Sequence, residues 1–175
     1  MGPLEIFLIV LAVLLVLYIG FFFYVLGSVS AFNTSLNKRL IALSVLLSEK
    51  KDVLLSLYAL FDENGALFNS DIKDSCAKVC WLQIDKLDEE GVTSASILLS
   101  DLQKRLTLLF TQNEKLISLK DSKGYFATLL DLDGNYRRII STFNADIIGY
   151  EYWRKMWLYS WCFFLLGFRK RQHLN

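Results

Sequence analysis

The sequence predicts an all-α protein: a single N-terminal transmembrane helix that continues into an elongated antiparallel four-helix bundle and ends in an aromatic membrane-interfacial segment. Three observations carry this expectation. Residues Ile6 to Leu26 form an unbroken apolar run of about the twenty residues a helix needs to cross a bilayer. Downstream, apolar residues recur at alternating spacings of three and four, the period of one face of a helix. The only proline is Pro3, so nothing later in the chain breaks a helix as proline does. Short alternating runs between Gly or Asn turns, the pattern of a sheet, are missing.

The apolar run is read as an anchor rather than a cleaved signal. A signal peptide carries a basic n-region and a shorter apolar core, whereas Glu5 is the only charge before this run. Every Lys and Arg lies at or after Lys38, so the positive-inside rule puts the N-terminus outside and the bulk of the chain in the cytoplasm. Cys76, Cys80 and Cys162 are then expected to be free thiols in a reducing compartment.

Leu36, Leu40, Leu43, Leu47, Leu54, Leu57 and Phe61 continue the first helix beyond the membrane, with Lys50 interrupting the stripe, and Asn64 and Gly65 supply a stop. A second helix is expected from about Ser70 to Glu90, with Ile72, Cys76, Val79, Cys80 and Leu87 on one face, ending at Gly91. Thr93 or Ser94 would cap a third. That helix carries Leu99, Leu102, Leu106, Leu109 and Leu116 with Asn113 in the seam, and ends near Asp121 to Gly124. A fourth begins near Tyr125, with Phe126, Leu129, Leu132, Tyr136, Ile140, Phe143 and Ile147 as its stripe.

Four helices with short connections pack most simply up-down-up-down, which returns the chain to the bilayer after about Tyr150. Met156 to Phe168, thirteen residues, would reach only about 20 Å as a helix, too short to span. Trp153, Trp157 and Trp161 with Phe163, Phe164 and Phe168 suit the headgroup level, and Arg154, Lys155, Arg169, Lys170 and Arg171 suit anionic lipids. The alternative is that this segment folds back as bundle core or makes a subunit contact. The expected division is thus an extracytoplasmic N-terminus over 1–5, a transmembrane helix over 6–26, a bundle over 27–152 and an interfacial segment over 153–175.

The chemical inventory is sparse. The 19 basic and 18 acidic residues leave a net charge of +1, which argues against a nucleic-acid partner. His173 is the only histidine, which excludes histidine triads and multi-histidine metal sites. Cys76 and Cys80 lie one turn apart but lack companions for a metal. Asp131 and Asp133 open a calcium-like run whose glycine falls fourth rather than sixth and whose twelfth residue is Thr142. Gly124 and Gly134 stand alone rather than in a phosphate-cradling loop. A carboxylate enzyme would need Asp131 and Asp133 facing inward, and helical phase sets Asp133 between stripe positions. No cofactor is expected.

The order of features resembles the LemA family. Phe32 and Asn33 follow the membrane helix; Lys51, Asp52 and Leu54 match a basic residue before an Asp-Leu pair; Leu119, Lys120, Ser122, Tyr125 and Phe126 match a helix of the type LK-x-(N/S)-x-x-(F/Y). Phe143 and Asn144 match a late aromatic-Asn pair, and Gly167 and Phe168 close a short apolar stretch before Arg169 and Lys170. Two prolines usual in the family, one in the LK segment and one near the end, are missing. The resemblance implies an antiparallel four-helix bundle on a single-pass anchor, cytoplasmic in many members and without established enzymatic activity, with Phe32, Asn33, Phe143 and Asn144 as structural residues.

Taken together, these features lead to the expectation of a non-enzymatic membrane scaffold that assembles with copies of itself, because anchored protomers are concentrated in two dimensions. The competing expectation is a membrane-anchored sensing or ligand-binding module, which would need a convergent polar pocket between helices.

Overall fold

The structure is a computed structural model that describes residues 2–85, 87–156 and 160–174, without the side chains of Trp161, Cys162 and Leu165. The described residues are helical and contain no strand. In chain order the helices are α1 (Pro3–Glu63), α2 (Ser70–Cys80), α3 (Glu89–Gln112), α4 (Glu114–Ser118), α5 (Lys120–Arg154) and α6 (Ser160–Leu165). The chain forms two compact units, one of Met1–Asn37 with Ala145–Gln172, the other of Lys38–Asn144 with His173–Asn175.

Helix α1 contains one candidate membrane span, and no residue of its most apolar 18-residue stretch is buried. Leu4 to Tyr24 presents a sleeve of exposed Leu, Ile, Val, Phe and Tyr side chains. Farther on, all seven stripe positions from Leu36 to Phe61 are buried. The helix stops as its sequence indicates. Gly65 adopts φ +75°, the left-handed conformation glycine takes at a helix end. The turn lets Ala66 N–H reach the Phe61 carbonyl and Gly65 N–H reach that of Asp62, both at 3.0 Å.

Helix α2 is shorter than its sequence suggests, ending at Cys80 rather than near Glu90. Its start is set by Asn69, whose side chain accepts from Ile72 N–H at 2.9 Å. Its end is set from outside the helix: Lys51 Nζ donates to the carbonyls of Cys80 at 3.1 Å and Leu82 at 2.8 Å. A cation satisfying free carbonyls at a helix C-terminus opposes the macrodipole and favours termination there. Cys80, expected on the apolar face, is exposed.

Helix α3 begins before Gly91. Asp88, not Thr93 or Ser94, is the cap, accepting from Gly91 N–H at 2.8 Å, while the Thr93 hydroxyl donates back to the Glu89 carbonyl. Glu89 and Glu90 lie in the first turn, where carboxylates complement the helix dipole. The expected third helix is also split. Asn113 is not a seam residue; it ends α3 and caps α4 by accepting from Lys115 N–H at 3.1 Å. The following break is closed by buried Ser122, whose hydroxyl donates to the carbonyls of Leu116 at 3.1 Å and Leu119 at 2.7 Å.

In the second unit, the core is built from the α1 stripe from Leu40 to Phe61, Ile72 and Val79 of α2, Val92, Ala95, Leu99, Leu102 and Leu106 of α3, and Leu129, Leu132 and Phe143 of α5. Phe110 lies between Phe61, stacked at 6.2 Å between centroids, and Phe126, tilted against it at 4.7 Å. Polar contacts between α1 and α5 join Arg39 to Thr142 and Lys50 to Asp133. In the first unit, Val25, Val29 and Leu36 of α1 are buried together with Ile147, Tyr150 and Phe163.

Candidate functional site

Lys50 occupies the position that interrupts the α1 stripe. A lysine there is costly unless its ammonium is paired. It is paired: Nζ lies 2.7 Å from Asp133 Oδ1, with the Lys50 side chain 8% exposed and that of Asp133 28%. The second carboxylate oxygen accepts from Gln103 Nε2 at 3.0 Å. One residue each from α1, α3 and α5 thus meets at a single carboxylate. Asp133 therefore faces the neighbouring helices, contrary to the outward direction inferred from helical phase. This stretch of α5 meets both α1, through Lys50, and α3, through Gln103, so its inward arc is wider than the apolar stripe alone.

Beside this pair lies a cleft of about 370 Å³, within the size range of small-molecule sites. Leu46 and Leu47 wall it from α1, Ser96 and Ser100 from α3, and Leu132, Tyr136, Arg137, Ile140 and Ser141 from α5. The Tyr136 hydroxyl is buried and makes no hydrogen bond among the described residues. Burial pushes its pKa above that of an ordinary phenol, and the neighbouring Ser96 side chain offsets part of that rise. An adjoining cleft of about 510 Å³ shares Ser100, Asp133 and Arg137 and adds Gln103, Lys104, Thr107 and Leu108. Asp131, by contrast, is exposed, so the two carboxylates considered for catalysis do not converge.

Cys76 is buried and Cys80 exposed. Burial first, then the neighbouring Cys80, pushes the Cys76 thiol up to about 11, which keeps it protonated and a poor nucleophile or metal ligand. Among the described residues no three His, Cys, Asp or Glu side chains come together as a metal site.

In the first unit, the C-terminal aromatic segment packs beside α1. Trp153 stands edge-on to Tyr24 at 5.8 Å and to Tyr152 at 5.3 Å. Phe163 is buried, stacked on Phe22 at 6.3 Å and edge-on to Phe168 at 5.9 Å, so protein covers it. Phe164, Arg169 and Lys170 are exposed. Arg154 and Lys155 both pair with Glu151, at 2.9 and 3.4 Å. Burial raises the Glu151 pKa, but the hydrogen bonds and charge of Arg154, with help from Lys155, outweigh that and hold it below the usual carboxylate range. Trp157 lies outside the described residues, as does the side chain of Trp161.

The remaining motif residues acquire definite contacts. Arg171 donates to the side-chain oxygens of Asn33 and Asn37, both at 2.6 Å. Phe32 sits over Gly149, where an added Cβ would meet its Cζ at 2.7 Å. Tyr150 donates to the Arg169 carbonyl at 2.8 Å. Gly167, at φ +80°, ends α6 in the manner of Gly65, with Phe168 N–H reaching the Phe163 carbonyl at 3.0 Å. In the second unit, Asn144 grips Leu174 on both sides, donating to its carbonyl at 2.7 Å and accepting from its N–H at 2.9 Å. Phe143 and Leu54 are buried, Lys51 caps α2, Asp52 is exposed beside it, and Phe126 packs tilted against Phe110. Leu119 caps the end of α4 and Lys120 opens α5, with Tyr125 half-buried one turn on.

No protein-family model, curated protein or solved structure matches the chain.

The cleft and its polar trio carry no local sequence signature as a group. Lys50, Gln103 and Asp133 are separated by 53 and 30 positions, and only packing brings them together. The one local signal was Lys50 itself, a cation in an otherwise apolar stripe.

Proposed function

We propose that this is a non-enzymatic, single-pass membrane protein of the LemA type, holding a cytoplasmic helical bundle that assembles with further copies as a membrane-associated scaffold. The observation that carries the reading is the bare apolar sleeve from Leu4 to Tyr24, continuous in α1 with a stripe that is buried. Exposing that much apolar surface to water is unfavourable at about 25 cal/mol per Å², and a bilayer removes the cost. An antiparallel four-helix bundle is supported by the α1 to α5 pairs, in which Arg39 meets Thr142 and Lys50 meets Asp133, numbers rising along one helix and falling along the other. Contact of the C-terminal segment with anionic headgroups is supported by Trp153 beside Tyr24, at the end of the apolar run, and by exposed Arg169 and Lys170. Lateral contacts have exposed Ile41 and Val45, one turn apart, to draw on.

Two measurements test this reading. In a cysteine-free variant, Gln83→Cys places a thiol in the exposed connection before α3. Resistance to a membrane-impermeant thiol reagent in intact cells, with labelling after lysis, is expected; labelling in intact cells overturns the cytoplasmic orientation. Light scattering on the detergent-solubilised chain is expected to give masses above the monomer, and a clean monomer across concentrations removes the scaffold.

The cleft beside Lys50 favours a second reading, a membrane-anchored ligand-binding or sensing module. Its polar groups converge from three helices, the feature that separates a binding site from a packing defect.

A further inference from the structure

We infer that the cleft beside Lys50 binds a small amphiphilic oxyanion, a phosphate or carboxylate head carrying a short apolar body. This rests on the ligand-binding reading and specifies its ligand. The charges decide the sign. The only carboxylate among the described residues lining the cleft, Asp133, already accepts from Lys50 at 2.7 Å and Gln103 at 3.0 Å, and the Lys50 ammonium neutralises its charge, so it holds little attraction for a further cation. Arg137, at the rim, makes no hydrogen bond or ion pair among the described residues. Lys104 extends the positive surface into the adjoining cleft. Three cations against one carboxylate leave an excess of positive charge where the two clefts meet.

The available hydrogen-bonding groups agree with the charge. A guanidinium offers two parallel N–H groups to an oxyanion. The Tyr136 hydroxyl is buried without a hydrogen bond, and a phenol that stays protonated is a donor. Ser100 lines both clefts, as Arg137 does, and adds a hydroxyl to the groups available to the head. Leu46, Leu47, Leu132 and Ile140 form the apolar wall, which a free inorganic anion would leave uncovered. Both halves of the lining are used only by a ligand with a charged head and an apolar body.

The test uses the full chain in phosphatidylcholine nanodiscs, titrated calorimetrically with hexyl phosphate, inorganic phosphate, hexan-1-ol and hexylammonium. Hexyl phosphate is expected to saturate above the signal of empty nanodiscs and to bind about tenfold or more weakly to Arg137→Gln. Arg137 is exposed, so that variant keeps its helicity. Leu46→Ser is expected to weaken hexyl phosphate but leave inorganic phosphate unchanged. Displacement of hexyl phosphate by dihexanoyl phosphatidic acid supports a lipid as the source of the head, and failure to displace supports a soluble metabolite. Equal binding to wild type and Arg137→Gln overturns the inference, as does inorganic phosphate binding as tightly as hexyl phosphate. Binding of hexan-1-ol or hexylammonium in place of hexyl phosphate overturns the oxyanion while leaving the ligand-binding reading intact. Silence from every probe overturns both.

Discussion

Lys50 and Asp133 form an ion pair at 2.7 Å between α1 and α5, and the pair is asymmetric: the lysine side chain is nearly enclosed, the aspartate more than a quarter exposed. Removing each partner should therefore have unequal effects. Asp133→Ala strands an enclosed ammonium, at a cost of about 2 to 3 kcal/mol after allowing for the solvent that reaches the site. Lys50→Met leaves Asp133 with Gln103 and water, and replaces the lysine stem with an apolar side chain of similar length, so it should cost about 1 kcal/mol or less. Denaturant unfolding of the full chain in micelles, followed by circular dichroism, measures the difference. Equal losses would show that the ammonium finds another partner.

Gly149 lies within a helix, where replacing glycine by alanine ordinarily stabilises by about 0.5 to 1 kcal/mol. Here the expected sign is reversed. The new Cβ would lie 2.7 Å from Cζ and 2.9 Å from Cε1 of Phe32, and a ring moves as a body. Gly149→Ala should destabilise by about 1 to 3 kcal/mol, and Phe32→Leu in the same chain should recover most of the loss. A melting-temperature series on the two single variants and the double variant reads this coupling.

Asn144 holds Leu174 through a donor and an acceptor at once. Asn144→Ala removes both hydrogen bonds, and Asn144→Asp keeps the acceptor while turning a carboxylate oxygen toward the Leu174 carbonyl. Hydrogen exchange at the Leu174 amide should rise by about tenfold in the alanine variant. The aspartate variant should release the Leu174 carbonyl while retaining partial protection of the amide.

The thiols should divide sharply. At pH 8 exposed Cys80 reacts with a soluble maleimide while buried Cys76, pushed up to about 11, does not. A thiol whose folded pKa is raised stabilises the fold fully below its ordinary value near 9 and loses that contribution as pH climbs toward 11. Tyr58 and Tyr136 are shifted the same way, chiefly by burial. Stability should accordingly fall above pH 9, and Cys76→Ala should flatten the first part of that fall. Asp101 acts at the other end. Its hydrogen bond with Arg105 lowers its pKa, giving a contribution present above the ordinary carboxylate range and lost as acid protonates it. A pH series of unfolding midpoints from 3 to 11 checks both limbs.

Some elements were legible because their signals are local. The α1 stripe declares its buried face through spacing alone, and Gly65 marks the stop because only glycine takes φ +75° without penalty. The end of the second helix has no local signal, because it depends on Lys51, 29 residues upstream of the Cys80 carbonyl it holds. The break in the third is hidden in Asn113, whose side chain suits a polar seam position or a cap equally, and only the folded backbone selects the cap.

The sequence by itself determined that the chain is helical and that one helix is apolar enough to be a candidate membrane span, since composition and period act within a few turns. It also assigned the apolar face of α1. Tertiary structure alone decided which distant residues meet. Phe32 with Gly149, Asn144 with Leu174, and above all Lys50 with Gln103 and Asp133 are contacts between distant positions. Periodicity indicates which side of a helix avoids water, but not how many neighbours cover it, and two neighbours on α5 turned Asp133 from a solvated carboxylate into the anchor of a cleft.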